Sequence, residues 1–208
     1  MKAMNTQPPD ATNVVALQPN DIQALLSAAA FPWWIAGGWA LDLFMREQTR
    51  PHFDVDVAIP RKDQGAAQKY LSHWDFQYAV RINDKVVLRP WESGQILGRE
   101  VHGVWGRQTT DAPWRFEFAL HEIEAEVWTF RYFDTVQHPL RHIEGRTPDG
   151  ICYLKPEIAL LYKAARMREV DVQDFRRVLP YLGREQRLQL AGDILRCWPE
   201  HPWLGLLK

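Results

Sequence analysis

The apolar positions fall into stretches of two different periods. Ile22, Leu25, Leu26 and Ala29 recur at helical spacing, which predicts a helix from Asp21 with Asn20 as its N-cap, ended by Pro32. Residues 33–36 form a short apolar run, read as a buried strand, and Gly37-Gly38 breaks it. A second helix is predicted over 39–46, with Leu41, Phe44 and Met45 on one stripe. Over 53–59 the period becomes two. Phe53, Val55, Val57 and Ile59 share one face and Asp54, Asp56 and Ala58 the other, as in a strand with one buried face. A helix over 64–71 follows, then strands at 76–82, 85–89, 114–121 and 126–133, with loop and short strands in 92–113. Helices are predicted again at 155–168, opened by Pro156, at 171–182 and at 184–197. The pattern is that of an α+β protein: residues 1–13 a flexible tail, 14–133 a mixed sheet with flanking helices, and 134–208 a helical region.

Composition removes several classes. The chain has 208 residues, 46% of them apolar and 25% charged, so it can build a core without disulfides or metal staples. Its 25 basic and 26 acidic residues nearly cancel, which argues against a dedicated duplex-binding protein but leaves room for a local basic groove. Cys152 and Cys197 are far apart and form no CxxC pair, so zinc and dithiol chemistry are not indicated. The first 12 residues are polar, with Pro8 and Pro9, and no apolar run approaches 18 residues. No secretory signal, membrane span or membrane partner is expected, and the expected location is the cytoplasm.

The chemistry concentrates in two places. Asp54 and Asp56 stand at i and i+2 on the predicted strand and point to one face. Aspartate is disfavoured in strands, and neighbouring carboxylates repel unless a cation sits between them. Hard oxygen donors on a rigid strand suit Mg²⁺ completed by substrate phosphates. Upstream, Gly37-Gly38 lies between a strand and a helix, where glycine admits a phosphate close to the backbone and the helix N-terminus offers free N–H groups.

The order strand, Gly-Gly, helix, then strand with Asp-x-Asp resembles the DNA polymerase β-type nucleotidyltransferase superfamily. The text Trp34-Ile35-Ala36-Gly37-Gly38-Trp39-Ala40-Leu41-Asp42, then Gln48-Thr49-Arg50-Pro51-His52-Phe53-Asp54-Val55-Asp56, is most similar to the antibiotic-modifying branch of aminoglycoside 2″-adenylyltransferases and lincosamide nucleotidyltransferases. The resemblance implies a polymerase β-like core in residues 14–133 and a reaction in which a hydroxyl attacks the α-phosphate of a nucleoside triphosphate, usually ATP, with Mg²⁺. It assigns the triphosphate to Gly37 and Gly38 and the metal to Asp54 and Asp56.

It also calls for a third carboxylate on a neighbouring strand. In residues 114–122, Phe116, Phe118 and Leu120 alternate with Glu117, Ala119 and His121, so Glu117 is the candidate metal ligand or general base. A bulge would shift the register to Glu122, which stays open. A basic residue on a helix of the superfamily reaches the outer phosphates. Lys163 is the candidate, with Arg166 beside it, and Arg50 and Arg46 lie near the Asp strand. His52 reads as either a ligand or a group that orients the strand. Asp42 is expected to pair with Arg46 at i,i+4, and Asp171 and Asp174 to brace the helices. Trp39, Trp91 and Trp105 are candidates to line a substrate cleft. The expected enzyme transfers AMP to a hydroxyl-bearing small molecule, with an aminoglycoside-like antibiotic as one candidate. The acid-rich run Glu122, Glu124, Glu126 would suit such a polycation. Transfer to RNA or protein is the less favoured reading. A nucleotide-binding module without turnover is the third.

Overall fold

In the computed structural model, residues 13–83 and 85–208 are described. The tail expected over 1–13 lies outside them except for Asn13, whose carbonyl accepts a hydrogen bond from the Trp114 amide at 3.0 Å. In chain order the elements are α1 (Pro19–Leu25), β1 (Trp34–Ile35), α2 (Gly37–Met45), β2 (Asp56–Pro60), α3 (Gln64–Tyr70), β3 (Asp75–Ile82), β4 (Lys85–Pro90), β5 (Gly103–Arg107), β6 (Phe116–Glu124), β7 (Val127–Thr129), β8 (Gln137–Pro139), α4 (Leu140–Ile143), β9 (Glu144–Arg146), β10 (Cys152–Leu154), α5 (Pro156–Arg166), α6 (Glu169–Val178) and α7 (Arg184–Cys197). The strands make one mixed sheet in the order β4-β3-β5-β6-β2-β1-β10-β9, with β7 and β8 continuing from β6. β2 runs parallel to β6 and β1 parallel to β10; the other pairs are antiparallel.

The alternation along the central strands sorts side chains into two cores. Val57, Ile59, Phe116, Phe118 and Leu120 join Ile22 and Leu26 of the α1 segment and Phe76 of β3 on one face. Ala58 lies in the opposite core, among Trp34, Leu41, Ile158, Leu161, Phe175 and Ile194. The face that carries the aspartates is therefore covered by helices, and α2 packs against α5. Because both faces of β2 are covered, Asp56 at its start and Asp54 just before it are half-buried in a cleft beneath the helices.

Some expectations are corrected. Helix α1 begins earlier, at Pro19, with Gln18 as N-cap in place of Asn20; the Gln18 amide donates to Asp21 Oδ2 at 2.9 Å. Helix α2 starts at the glycines themselves and not at Trp39. The strand expected from residue 53 begins at Asp56, and Phe53 is 39% exposed because it precedes the ladder. Residues 137–154, expected to be helical, supply β8, β9 and β10, and the run of longer helices starts at Pro156. Trp39, Trp91 and Trp105 are core residues and do not line the cleft described below. Among the described residues no helix is long and apolar enough to cross a membrane.

Candidate active site

The cleft lies between the centre of the sheet and α5. Gly37 and Gly38 stand at its edge, where β1 turns directly into α2. Gly37 has φ +62°, and a Cβ there would run into the Asp56 carboxylate. Only glycine satisfies both the left-handed backbone and the close approach. A Cβ on Gly38 would come within 2.5 Å of Arg50 Nη2 and 2.7 Å of the His52 ring. The free N–H groups of the first turn of α2 thus open between the Asp56 carboxylate, beside Gly37, and the Arg50 guanidinium, beside Gly38.

β2 and β6 bring the carboxylates together. Their parallel register places Asp56 beside Glu117, and the Glu117 amide donates to the Val55 carbonyl at 3.0 Å. One ligand oxygen from each of Asp54, Asp56 and Glu117 lies within 4.8 Å of the others. Glu117 is 3% exposed. Glu122, the alternative, is turned elsewhere and accepts from Arg61 Nε at 2.7 Å. Burial, and then the charge of Asp56, push the Asp54 carboxyl up to about 7; Arg168, Arg166 and Lys163 oppose the shift. Three carboxylates that converge here, one of them raised by burial and by its neighbour's charge, are a hard-oxygen donor set that fits Mg²⁺.

The preceding loop is fixed by Asp42. It accepts from the Thr49 amide at 3.1 Å and hydroxyl at 2.8 Å, and its Oδ2 lies 2.6 Å from His52 Nε2. The His52 ring also lies tilted against Trp39, with centroids 4.3 Å apart. His52 therefore orients the approach to Asp54, and Asp42 pairs with the loop in place of Arg46.

A basic wall faces the triad. Ala159, Tyr162, Lys163 and Arg166, at helical spacing on α5, line the cleft together with Arg50, Arg131 and Arg168. Two buried aspartates of α6 hold part of this wall. Asp174 accepts from Arg50 Nε and Nη2, each at 2.9 Å, and lies 2.8 Å from Lys163 Nζ. Asp171 accepts from Arg168 Nε at 2.8 Å and Nη2 at 3.0 Å, and from Lys163 Nζ at 3.3 Å. Burial alone would raise the Asp174 carboxyl, but the Arg50 hydrogen bond and the Lys163 charge outweigh it and hold it at about 2. The same hydrogen bond raises the Arg50 guanidinium further. Lys163 is 6% exposed and is not part of a solvated helix face.

The structure thus gathers Gly37, Gly38, Arg50, Asp54, Asp56, Glu117 and Lys163 around one cleft. Arg46 is not among its lining residues; it caps α2 at φ 61°. Sequence reasoning overlooked Arg131. Its signal was an arginine isolated in the aromatic run from Trp128 to Phe133.

A family model described as Aminoglycoside-2″-adenylyltransferase matches residues 20–89, which contain both glycines, Arg50 and both aspartates but not Glu117 or α5. A 2″-aminoglycoside nucleotidyltransferase of Escherichia coli is 29% identical over 77 residues, covering 32% of this chain and 44% of its own length. One of Klebsiella pneumoniae is 27% identical over 86 residues, covering 38% and 48%. The chain thus spans under half the length of these relatives. In three dimensions the similarity is longer. The crystal structure of ANT(2″)-Ia in complex with adenylyl-2″-tobramycin superposes over 86% of this chain and 95% of its own, with a TM-score of 0.54 and 16% identity.

Proposed function

From the premise that the chain resembles the aminoglycoside 2″-adenylyltransferase branch of the nucleotidyltransferase superfamily and shares its fold, we propose that it is a Mg²⁺-dependent nucleotidyltransferase that moves AMP from ATP to a hydroxyl of a small molecule. The observation that carries this reading is the convergence of Asp54, Asp56 and Glu117 beside the Gly37-Gly38 turn and opposite a basic wall.

The role of each group follows from where it stands. Asp54, Asp56 and Glu117 would hold Mg²⁺, which when bound polarises the α-phosphate and stabilises the leaving oxygen. Gly37 and Gly38 let the triphosphate approach the backbone, and the N–H groups opening α2 donate to it. Arg50 and Lys163 offset its charge, with Arg168 beside them. Their pairing with Asp171 and Asp174 fixes their positions before the nucleotide arrives, so little reorganisation is needed. Glu117 accepts the proton of the attacking hydroxyl. The acceptor oxygen bonds to the α-phosphorus, the bond from that phosphorus to the bridging oxygen breaks, and pyrophosphate leaves with the electron pair. The central strands supply Asp56 and Glu117, and the helices after Pro156 supply most of the basic wall. An enzyme of this kind works in the cytoplasm, where ATP and Mg²⁺ are supplied.

The test is transfer of label from α-³²P-ATP to hydroxylated small molecules with Mg²⁺ present. Labelled acceptor and equimolar pyrophosphate are expected. Nucleotide binding with no transfer to any small molecule would leave a binding module or a macromolecular acceptor in its place.

A further inference from the structure

Beyond Glu117 the cleft changes character. β6 continues through Ala119 to His121, and at about 3.3 Å per residue His121 lies about 13 Å further along. Tyr162 of α5 and Arg131, just past β7, wall this end, with Arg166 one turn along α5 from Tyr162. The polar groups here have a common direction. Trp128 Nε1 donates to His121 Nδ1 at 2.9 Å. An indole N–H only donates, so Nδ1 is bare and the imidazole proton sits on Nε2. Burial lowers the His121 pKa to about 4, so the ring is neutral and Nε2 is a donor. Arg131 and Arg166 each keep a buried Nε without a hydrogen-bond partner. Among the described residues neither has a carboxylate partner, whereas Arg50, Lys163 and Arg168 are all held by Asp171 or Asp174.

Among the described residues, acidic groups are missing from the lining of this end. Outside the Asp54, Asp56 and Glu117 cluster, no carboxylate is among the described residues that line the cleft. Glu122 is held by Arg61. Glu124 and Glu126 are exposed at the turn between β6 and β7. A cleft end that offers donors, with Arg131 lacking a carboxylate beside it among the described residues, complements an anion and disfavours a polycation.

Building on the nucleotidyl-transfer reading, we propose that this end is the acceptor subsite and that it selects a small hydroxyl compound bearing a carboxylate or a phosphate. Arg131 grips the anionic group and Arg166 flanks it, while the His121 Nε2–H donates to a neighbouring acceptor oxygen. The hydroxyl to be modified then reaches back toward Glu117. Arg131 is the discriminating group, because Arg166 also acts on Asp54 and lies between the two ends.

The test is calorimetric titration of the full chain with Mg²⁺, first with α,β-methylene-ATP alone. That titration judges the transfer reading by itself. Gluconate, glucose 6-phosphate, glucose and tobramycin are then titrated with and without the nucleotide, so the two readings can fail separately. Gluconate or glucose 6-phosphate is expected to bind at least tenfold more tightly than glucose and more tightly than tobramycin, and the two anions distinguish a carboxylate from a phosphate site. Arg131→Gln is expected to lower the affinity of the preferred anion at least tenfold. Arg131→Lys should retain more of it, and thermal melts establish that both variants fold. Tighter binding of tobramycin than of either anion overturns the proposal, as does an anion affinity within twofold of wild type in Arg131→Gln.

Discussion

Replacing Gly37 by alanine separates what the glycine does for the fold from what it does for the site. At φ +62° a residue with a Cβ pays a left-handed penalty of about 1–2 kcal/mol. For a chain of this size each kcal/mol moves Tm by about 2–4 °C, so a fall of roughly 2–8 °C is expected. The second effect is local. The three atoms nearest the added methyl all belong to the Asp56 side chain, so it is relieved by rotating that carboxylate and not by moving the backbone. Rotation takes Asp56 away from Asp54 and Glu117 and dismantles the cation site. Affinity for Mg²⁺ and α,β-methylene-ATP should then fall at least tenfold, about 1.4 kcal/mol. Thermal melting by circular dichroism and calorimetric titration read the two effects separately. Nucleotide affinity within twofold of wild type, in a variant whose Tm falls as expected, would refute the role given to Gly37.

Two further outcomes follow from the buried charges. Asp174→Asn leaves Arg50 and Lys163 without their shared carboxylate, and breaking a buried pair of this kind costs about 3–5 kcal/mol, measurable by urea unfolding. The Asp174 carboxyl sits at about 2 against an ordinary 3.8, so its contribution is complete above pH 4 and lost as pH falls through about 2. The variant should lack that part of the acid dependence. His121 has the same proton balance in a higher pH window: its pKa falls from 6.5 to about 4, so the unfolded chain takes up the proton first. Stability should decline by up to about 3 kcal/mol as pH drops from 6.5 to 4. His121→Gln, whose amide oxygen can still accept from Trp128, should remove most of that decline in pH-resolved urea melts.

The parts of the site legible in the sequence are those written in local pattern. Alternation in residues 53–59 and 114–122 put Asp54, Asp56 and Glu117 on one kind of face, and the parallel register of β2 and β6 brings those faces together. The Gly37-Gly38 turn was visible because a strand, two glycines and a helix are adjacent in the chain. Helix α7 spans Arg184–Cys197 as expected. What was not legible depends on long-range pairing or on very short elements. The strands β8, β9 and β10 are three residues each, too short to show alternation. Arg50 and Asp174 are separated by 124 positions, and no local rule joins them. Phe53 fits the alternating pattern but falls outside the ladder, because pairing begins at Asp56. Arg131 looked like an interruption of an aromatic run; only the cleft gives it a place.

The central claim is that Asp54, Asp56 and Glu117 form a cation site that binds a nucleoside triphosphate. Its most direct test is calorimetric titration of α,β-methylene-ATP into the wild type and the Asp54→Ala/Asp56→Ala variant, each with and without Mg²⁺. Saturable binding that requires Mg²⁺ and disappears in the folded double variant is the expected result. Equal binding with and without Mg²⁺, or undiminished binding in the double variant, would contradict the claim.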